Sequence, residues 1–206
     1  MTGFFLIIQR KMNHVPSASP ATPLPEASSL PASQQLLELQ NAIRAIPDFP
    51  KPGIIFRDIT PVLEDRKLFR NAIDQFVDLN RSLEIDKVVG IDARGFLFGA
   101  AAAYALNVGF VPVRKKGKLP YSTKETTYDL EYGTATVEIH VDGIRRNERV
   151  VLIDDLLATG GTAAAAVELI AHLGGCLLST QFLVELDALN GRKRLEPHPV
   201  HSFLHF

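Results

Sequence analysis

The chain has 206 residues, 46% of them hydrophobic and 22% charged, with a formal net charge of -1. These are globular proportions at a length that suits one domain with or without a tail, and the near-neutral charge gives no electrostatic basis for a nucleic-acid coat. A single cysteine, Cys176, excludes an internal disulfide or a thiol zinc cluster and favours a reducing compartment such as the cytoplasm.

In chain order, the run Phe4 to Ile8 is too short to span a membrane and has its positive charges after it, so neither a membrane anchor nor a secretory signal is expected. Pro16 to Ser33 is rich in Pro, Ser and Ala and cannot bury enough apolar surface to fold, so residues 1–33 are expected to be a disordered extension and 34–206 the domain. The spacing of Leu36, Leu37, Ile43 and Ile46 predicts a helix that ends before Pro47. "PDFPKPG" is an extended turn into "IIFRDI", a short strand, and "DRKLFRNAIDQFVDLNRSL" is a second helix with Asp65 as its cap.

"DKVVGID", "RGFLFGAAAAYALN" and "GFVPV" read as a β-α-β unit. Pro120 to Gly133 is long, polar and poor in core residues, as a mobile lid loop would be. "TATVEIH" alternates like a half-buried antiparallel strand, and "VVLID", "TAAAAVELIAHLGG" and "CLLSTQFLVEL" repeat strand, helix, strand. The class is therefore α/β, a mostly parallel central sheet flanked by helices, with ligands expected beyond the carboxyl ends of the strands.

The chemistry concentrates in "VVLIDDLLATGGT". Gly160 and Gly161 let successive amides between Ala158 and Thr162 face one concavity at a helix amino end, which makes a phosphate cup. Thr159 and Thr162 can donate hydroxyl bonds to the same anion, while Asp154 and Asp155, acceptors at the strand end, suit ribose hydroxyls or a metal's water shell. No Lys follows the glycines and no G-x-G-x-x-G follows a strand, so nucleoside triphosphate and dinucleotide loops are excluded. Arg94 opens a helix where a cation opposes the dipole unless an anion is present, and "RKKGKLP" gathers Arg114, Lys115, Lys116 and Lys118 on one turn. His198, His201 and His205 have no clustered carboxylate or thiol partner in the sequence and are expected to be structural or surface residues.

These segments resemble the type I phosphoribosyltransferases. "VVLIDDLLATGGT" is similar to their phosphoribosyl pyrophosphate signature, and "IPDFPKPGIIFRDITPVL", "GIDARGFLFG", "RKKGKLP", "YDLEYGTATVEIH" and "FLVEL" resemble the adenine-using members in order and spacing, from about Leu36 to Phe206. The resemblance implies that family's fold, with a small N-terminal hood and a flexible lid, and the transfer of phosphoribose to adenine with magnesium, giving AMP and pyrophosphate. It implies that Ala158, Thr159, Gly160, Gly161 and Thr162 cradle the 5′-phosphate and that Asp154 and Asp155 hold the ribose hydroxyls. By the same resemblance Arg94, Arg114, Lys115 and Lys118 contact pyrophosphate, while Phe56 and Arg57, with Asp58 orienting Arg57, address the base. Glu131 becomes the catalytic carboxylate and Tyr132 its lid neighbour, magnesium is held mainly through substrate and water, and the enzyme is a cytoplasmic homodimer. The rival functions are another purine base, or a phosphoribosyl pyrophosphate-sensing regulator that binds nucleic acid. The second needs a basic face or an appended DNA-binding element, and the sequence offers neither.

Overall fold

A computed structural model describes residues 31–129 and 133–206. Helix α1 (Ala32–Ala42) starts inside the stretch expected to be a tail and stops before the expected Pro47. It stops because Ile43 turns extended and Arg44–Pro47 forms strand β1, paired antiparallel with β2 (Ile55–Asp58). The backbone bonds of that hairpin displace a helical pattern that its isoleucines also fit. Helix α2 (Thr60–Glu64), with Pro61 in its first turn, was not foreseen. Helix α3 (Arg66–Asn80) begins as expected, with Asp65 accepting the Lys67 and Leu68 amides at 2.8 and 3.0 Å.

The main sheet contains β3 (Lys87–Ile91), β4 (Gly109–Lys115), β5 (Thr123–Asp129), β6 (Thr134–His140), β7 (Arg149–Leu157), β8 (Cys176–Glu185) and β9 (Val200–His205). Its order is β5-β6-β4-β3-β7-β8-β9, parallel from β4 through β9 and antiparallel at β5 and β6. Helices α4 (Arg94–Leu106) and α5 (Gly161–His172) are the crossovers. The central strands alternate between two cores. Val88, Val151 and Ile153 pack with Phe76 and Phe98 on one face, while Val89, Val150 and Leu152 pack with Leu169 and Ile170 on the other. A strand covered on both sides must be apolar at every position, which is why these runs are continuous rather than alternating.

Half of the segment expected to be a mobile lid, Thr123–Asp129, is strand β5, zipped to β6 from Thr123↔His140 to Asp129↔Thr134, with Thr126 buried. Its alternating Thr, Glu and Tyr suit a sheet edge with one wet face. Beneath the sheet, Asn80 and Gln181 exchange amide bonds at 2.7 and 2.8 Å with both residues fully buried. No helix among the described residues is long and apolar enough to cross a membrane.

Candidate active site

Parallel pairing of β4, β3 and β7 brings their carboxyl ends to one edge, so the basic turn, Arg94 and the loop 158–162 are neighbours there. Strand β7 runs further than the sequence suggests. It carries Asp154 and Asp155 within its paired length and continues to Leu157, because β8 stays in register as far as Leu157↔Glu185.

Gly160 has φ of +80° and caps α5 without any side-chain bond, and no acidic residue stands in the helix's first turn. The first-turn amides are therefore open to an anion, with the helix dipole favouring one. The loop is braced from behind: a Cβ on Gly160 would collide with the Gly191 carbonyl oxygen, and one on Gly191 with that of Ala158. In front lies the β5 end. Thr162 Oγ1 donates to Tyr128 Oη at 2.9 Å, and around the vacant Cβ position of Gly161 stand Tyr128 Cδ2 at 3.2 Å, Arg194 Nη1 at 3.4 Å and the Asp129 carbonyl oxygen at 3.5 Å.

The two aspartates are differently engaged. Asp155 is buried and paired with Arg94, Nε to Oδ2 at 2.5 Å, whereas Asp154 Oδ1 accepts the Asp155 amide at 2.9 Å. Burial first, and the Asp155 charge second, push the Asp154 carboxyl well above the ordinary range. The sequence places Arg94 toward pyrophosphate; here its Nε is committed to Asp155, and about half of its side chain stays open to solvent.

Arg114 is likewise held, by Asp92 Oδ2 at 3.0 Å and by the Lys118 carbonyl at 3.1 Å. The turn that follows is pinned by buried Glu138, whose Oε1 accepts the amides of Lys118 and Leu119, each at 2.8 Å. Burial pushes Glu138 up, but the amides of Leu119, Gly117 and Lys118 and the Thr123 hydroxyl outweigh it and leave the carboxylate below its usual range. Lys116 folds back onto Glu125 at 2.7 Å, which holds its ammonium charged, while Lys115 and Lys118 are exposed.

In the hood, Phe56 is half-buried and meets Phe49 edge-on, with centroids 5.2 Å apart. Arg57 lies over the Phe206 ring at 4.2 Å. Asp58 does not orient Arg57: it accepts the Thr60 hydroxyl and amide at 2.6 and 2.9 Å and pairs with Arg44 at 3.6 Å. Those Thr60 bonds, then the charges of Arg44 and Arg94, hold its carboxyl below the ordinary value. Glu131 and Tyr132 lie outside the described residues.

One premise about the histidines needs correction, that no carboxylate clusters with them. His205 Nδ1 lies 2.8 Å from Asp187 Oδ1, and Glu185, Asp187 and His205 bring one ligand atom each within 4.8 Å of one another. Glu185 is already satisfied by Arg192, at 3.1 and 2.5 Å, so the group is held together without an ion. Sequence reasoning also missed Tyr128, Gly191, Glu138 and Phe206. Tyr128 and Glu138 lie inside the quoted "YDLEYGTATVEIH" stretch, but only the folded sheet gives them their partners; Gly191 and Phe206 reach the site from segments that no local spacing marks.

The chain matches the family model described as a phosphoribosyl transferase domain over residues 60–203. It is 56% identical over 160 residues to the adenine phosphoribosyltransferase of Parvibaculum lavamentivorans, covering 78% of this chain and 91% of that one. The crystal structure of the Thermoanaerobacter pseudethanolicus adenine phosphoribosyltransferase superposes with a TM-score of 0.81 at 51% identity, over 83% of this chain and 99% of that chain. That of the Saccharomyces cerevisiae enzyme, complexed with D-2,5-dideoxy-2,5-imino-altritol 1,6-bisphosphate and adenine, gives 0.80 at 43% identity, over 84% and 99%.

Proposed function

The chain belongs to the adenine phosphoribosyltransferases, and from that membership we propose how its residues divide the work of purine salvage. The reaction joins adenine N9 to the anomeric carbon of phosphoribosyl pyrophosphate and releases AMP and pyrophosphate. Its transition state carries positive charge on the ribose and added negative charge on the leaving group. The protein's task is therefore to align the reactants and stabilise a departing polyanion.

The observation that carries this reading is the shared sheet edge, which gathers an uncapped helix amino end, the adjacent Asp154 and buried Asp155, and two arginines each held by an aspartate. In the proposed arrangement the amides of Ala158, Thr159, Gly160, Gly161 and Thr162 take the 5′-phosphate. Asp154 and Asp155 accept from the ribose hydroxyls. Arg94, Arg114, Lys115 and Lys118 meet the pyrophosphate, with Asp155 and Asp92 fixing the two guanidinium planes beforehand. Phe56 stacks on adenine, Arg57 addresses its edge, and Glu131 accepts the N9 proton as the new bond forms, with Tyr132 beside it.

Magnesium fits this donor set. The adjacent carboxylates are hard oxygen donors, and a nearby dication favours the charged form that burial first, and the Asp155 charge second, disfavour at Asp154. It would be held mainly through substrate oxygens and water near Asp154 and Asp155, where it supplies charge neutralisation to the leaving pyrophosphate. We further infer a cytoplasmic homodimer. Leu97 and Tyr104 stand on one face of α4 and are exposed, Tyr104 by 90%, as interface residues of a monomer would be.

Labelled adenine supplied with phosphoribosyl pyrophosphate and magnesium should yield labelled AMP. Faster turnover of hypoxanthine, guanine or xanthine would overturn the base assignment. Unchanged turnover in Glu131→Ala would remove that residue from the mechanism, and a monomer in sedimentation equilibrium would remove the dimer.

A further inference from the structure

Thr162 carries one hydroxyl proton, and in the structure that proton is given to the phenol oxygen of Tyr128. Thr162 stands in the first turn of α5, inside the anion cup, whereas Tyr128 comes from the last part of β5, in the hairpin of the opposite sheet edge. Their meeting is not incidental to one rotamer. Tyr128 packs against the core beneath α5, and its ring lies so close to the cup that a Cβ on Gly161 would stand only 3.2 Å from Tyr128 Cδ2.

We propose that Tyr128 is a positioning residue for the sugar phosphate, acting through Thr162. The inference rests on the assignment of the loop 158–162 as the 5′-phosphate cup. A phosphate is acceptor-only toward Thr162, so binding turns the Thr162 proton toward a phosphate oxygen. The phenol then reverses its role and donates to Thr162 Oγ1, completing the chain Tyr128 O–H to Thr162 Oγ1–H to phosphate. Each hydroxyl in such a chain polarises the next, and the donated bond fixes the threonine rotamer that faces the anion. Phenylalanine at 128 fills the same space but leaves Thr162 Oγ1 without its donor. The relay supplies oriented donation where the loop has no lysine.

The test compares Tyr128→Phe, Thr162→Val and the double variant by steady-state kinetics, together with calorimetric titration of ribose 5-phosphate, which reads the cup without turnover. Tyr128→Phe should raise KM for phosphoribosyl pyrophosphate about three- to tenfold, the worth of one such bond. Ribose 5-phosphate affinity should fall by the same factor, while kcat, KM for adenine and the melting temperature stay put. The double variant should be no worse than Thr162→Val alone, because the tyrosine acts through the threonine. Three results would overturn the relay. One is an unchanged KM in Tyr128→Phe while Thr162→Val binds phosphate poorly, which would leave the cup assignment standing. Another is independent, additive losses in the double variant. The third is Thr162→Val itself binding ribose 5-phosphate normally, which would take the Thr162 hydroxyl out of phosphate contact; only a parent enzyme that fails to bind ribose 5-phosphate would remove the cup of backbone amides itself.

Discussion

Gly191→Ala tests whether the phosphate cup is shaped from behind by a segment that never touches substrate. The added methyl would stand inside 3.0 Å of the Ala158 carbonyl oxygen and 3.0 Å from the Gly160 amide nitrogen, both backbone atoms with no rotamer to yield. One of the two segments must shift, and such overpacking costs about 1–3 kcal/mol. At 2–4 °C per kcal/mol for a domain of this size, melting should fall by roughly 2–12 °C. The cup bears the functional loss. A displaced loop that misaligns one charge-assisted amide bond, worth about 1.5–3 kcal/mol, should raise KM for phosphoribosyl pyrophosphate by roughly 10- to 100-fold. Gly174→Ala is the control for a glycine substitution away from the cup: Gly174 has a φ of +79°, which Gly191 does not share, and its added Cβ meets only the Arg146 chain at 3.3 Å and beyond. That variant should lose stability by about 1 kcal/mol, the cost of a left-handed alanine, and keep its KM. Thermal melting and AMP formation across a phosphoribosyl pyrophosphate titration read both quantities. If Gly191→Ala matches Gly174→Ala in KM, the bracing argument fails.

Phe206→Ala should leave the Arg57 guanidinium without its stacking surface and raise KM for adenine a few-fold with KM for phosphoribosyl pyrophosphate unchanged; equal changes in both would argue against a role confined to the base. Gln181→Leu leaves the buried Asn80 Oδ1 without its donor, while Nδ2 keeps the Phe76 carbonyl, and should cost about 1–3 kcal/mol in denaturant melts, whereas the double Asn80→Leu, Gln181→Leu should cost less than the two singles summed. The Arg192 guanidinium holds Glu185 below its ordinary value of 4.5, so its contribution is present above that pH and is lost as pH falls through the folded value. Glu185→Gln should therefore be less stable than the parent at neutral pH, and the two melting curves should converge in acid; a gap constant down to low pH would contradict this.

The sequence by itself determined the elements whose identity is set locally. The continuous apolar runs at Val88–Val89 and Val150–Ile153, the Asp65 cap and the glycines before α5 each obey a rule acting within a few residues, so strand, helix and cup could be read from the sequence. The motif resemblance added the roles proposed for residues 158–162 and the aspartates.

Tertiary structure decided what depends on partners far along the chain. The Arg44–Pro47 strand exists because Ile55–Asp58 pairs with it, and Thr123–Asp129 of the expected lid extends as a strand because β6 offers an edge. Arg94 and Arg114 carry the same charge in the sequence wherever they point; only the packed sheet gives one to Asp155 and the other to Asp92. His205 gains its carboxylates when β8 and β9 lie side by side. A local pattern fixes which backbone bonds a segment prefers. Which side chains meet across the sheet edge depends on register and crossover, and these are settled only when the whole core closes.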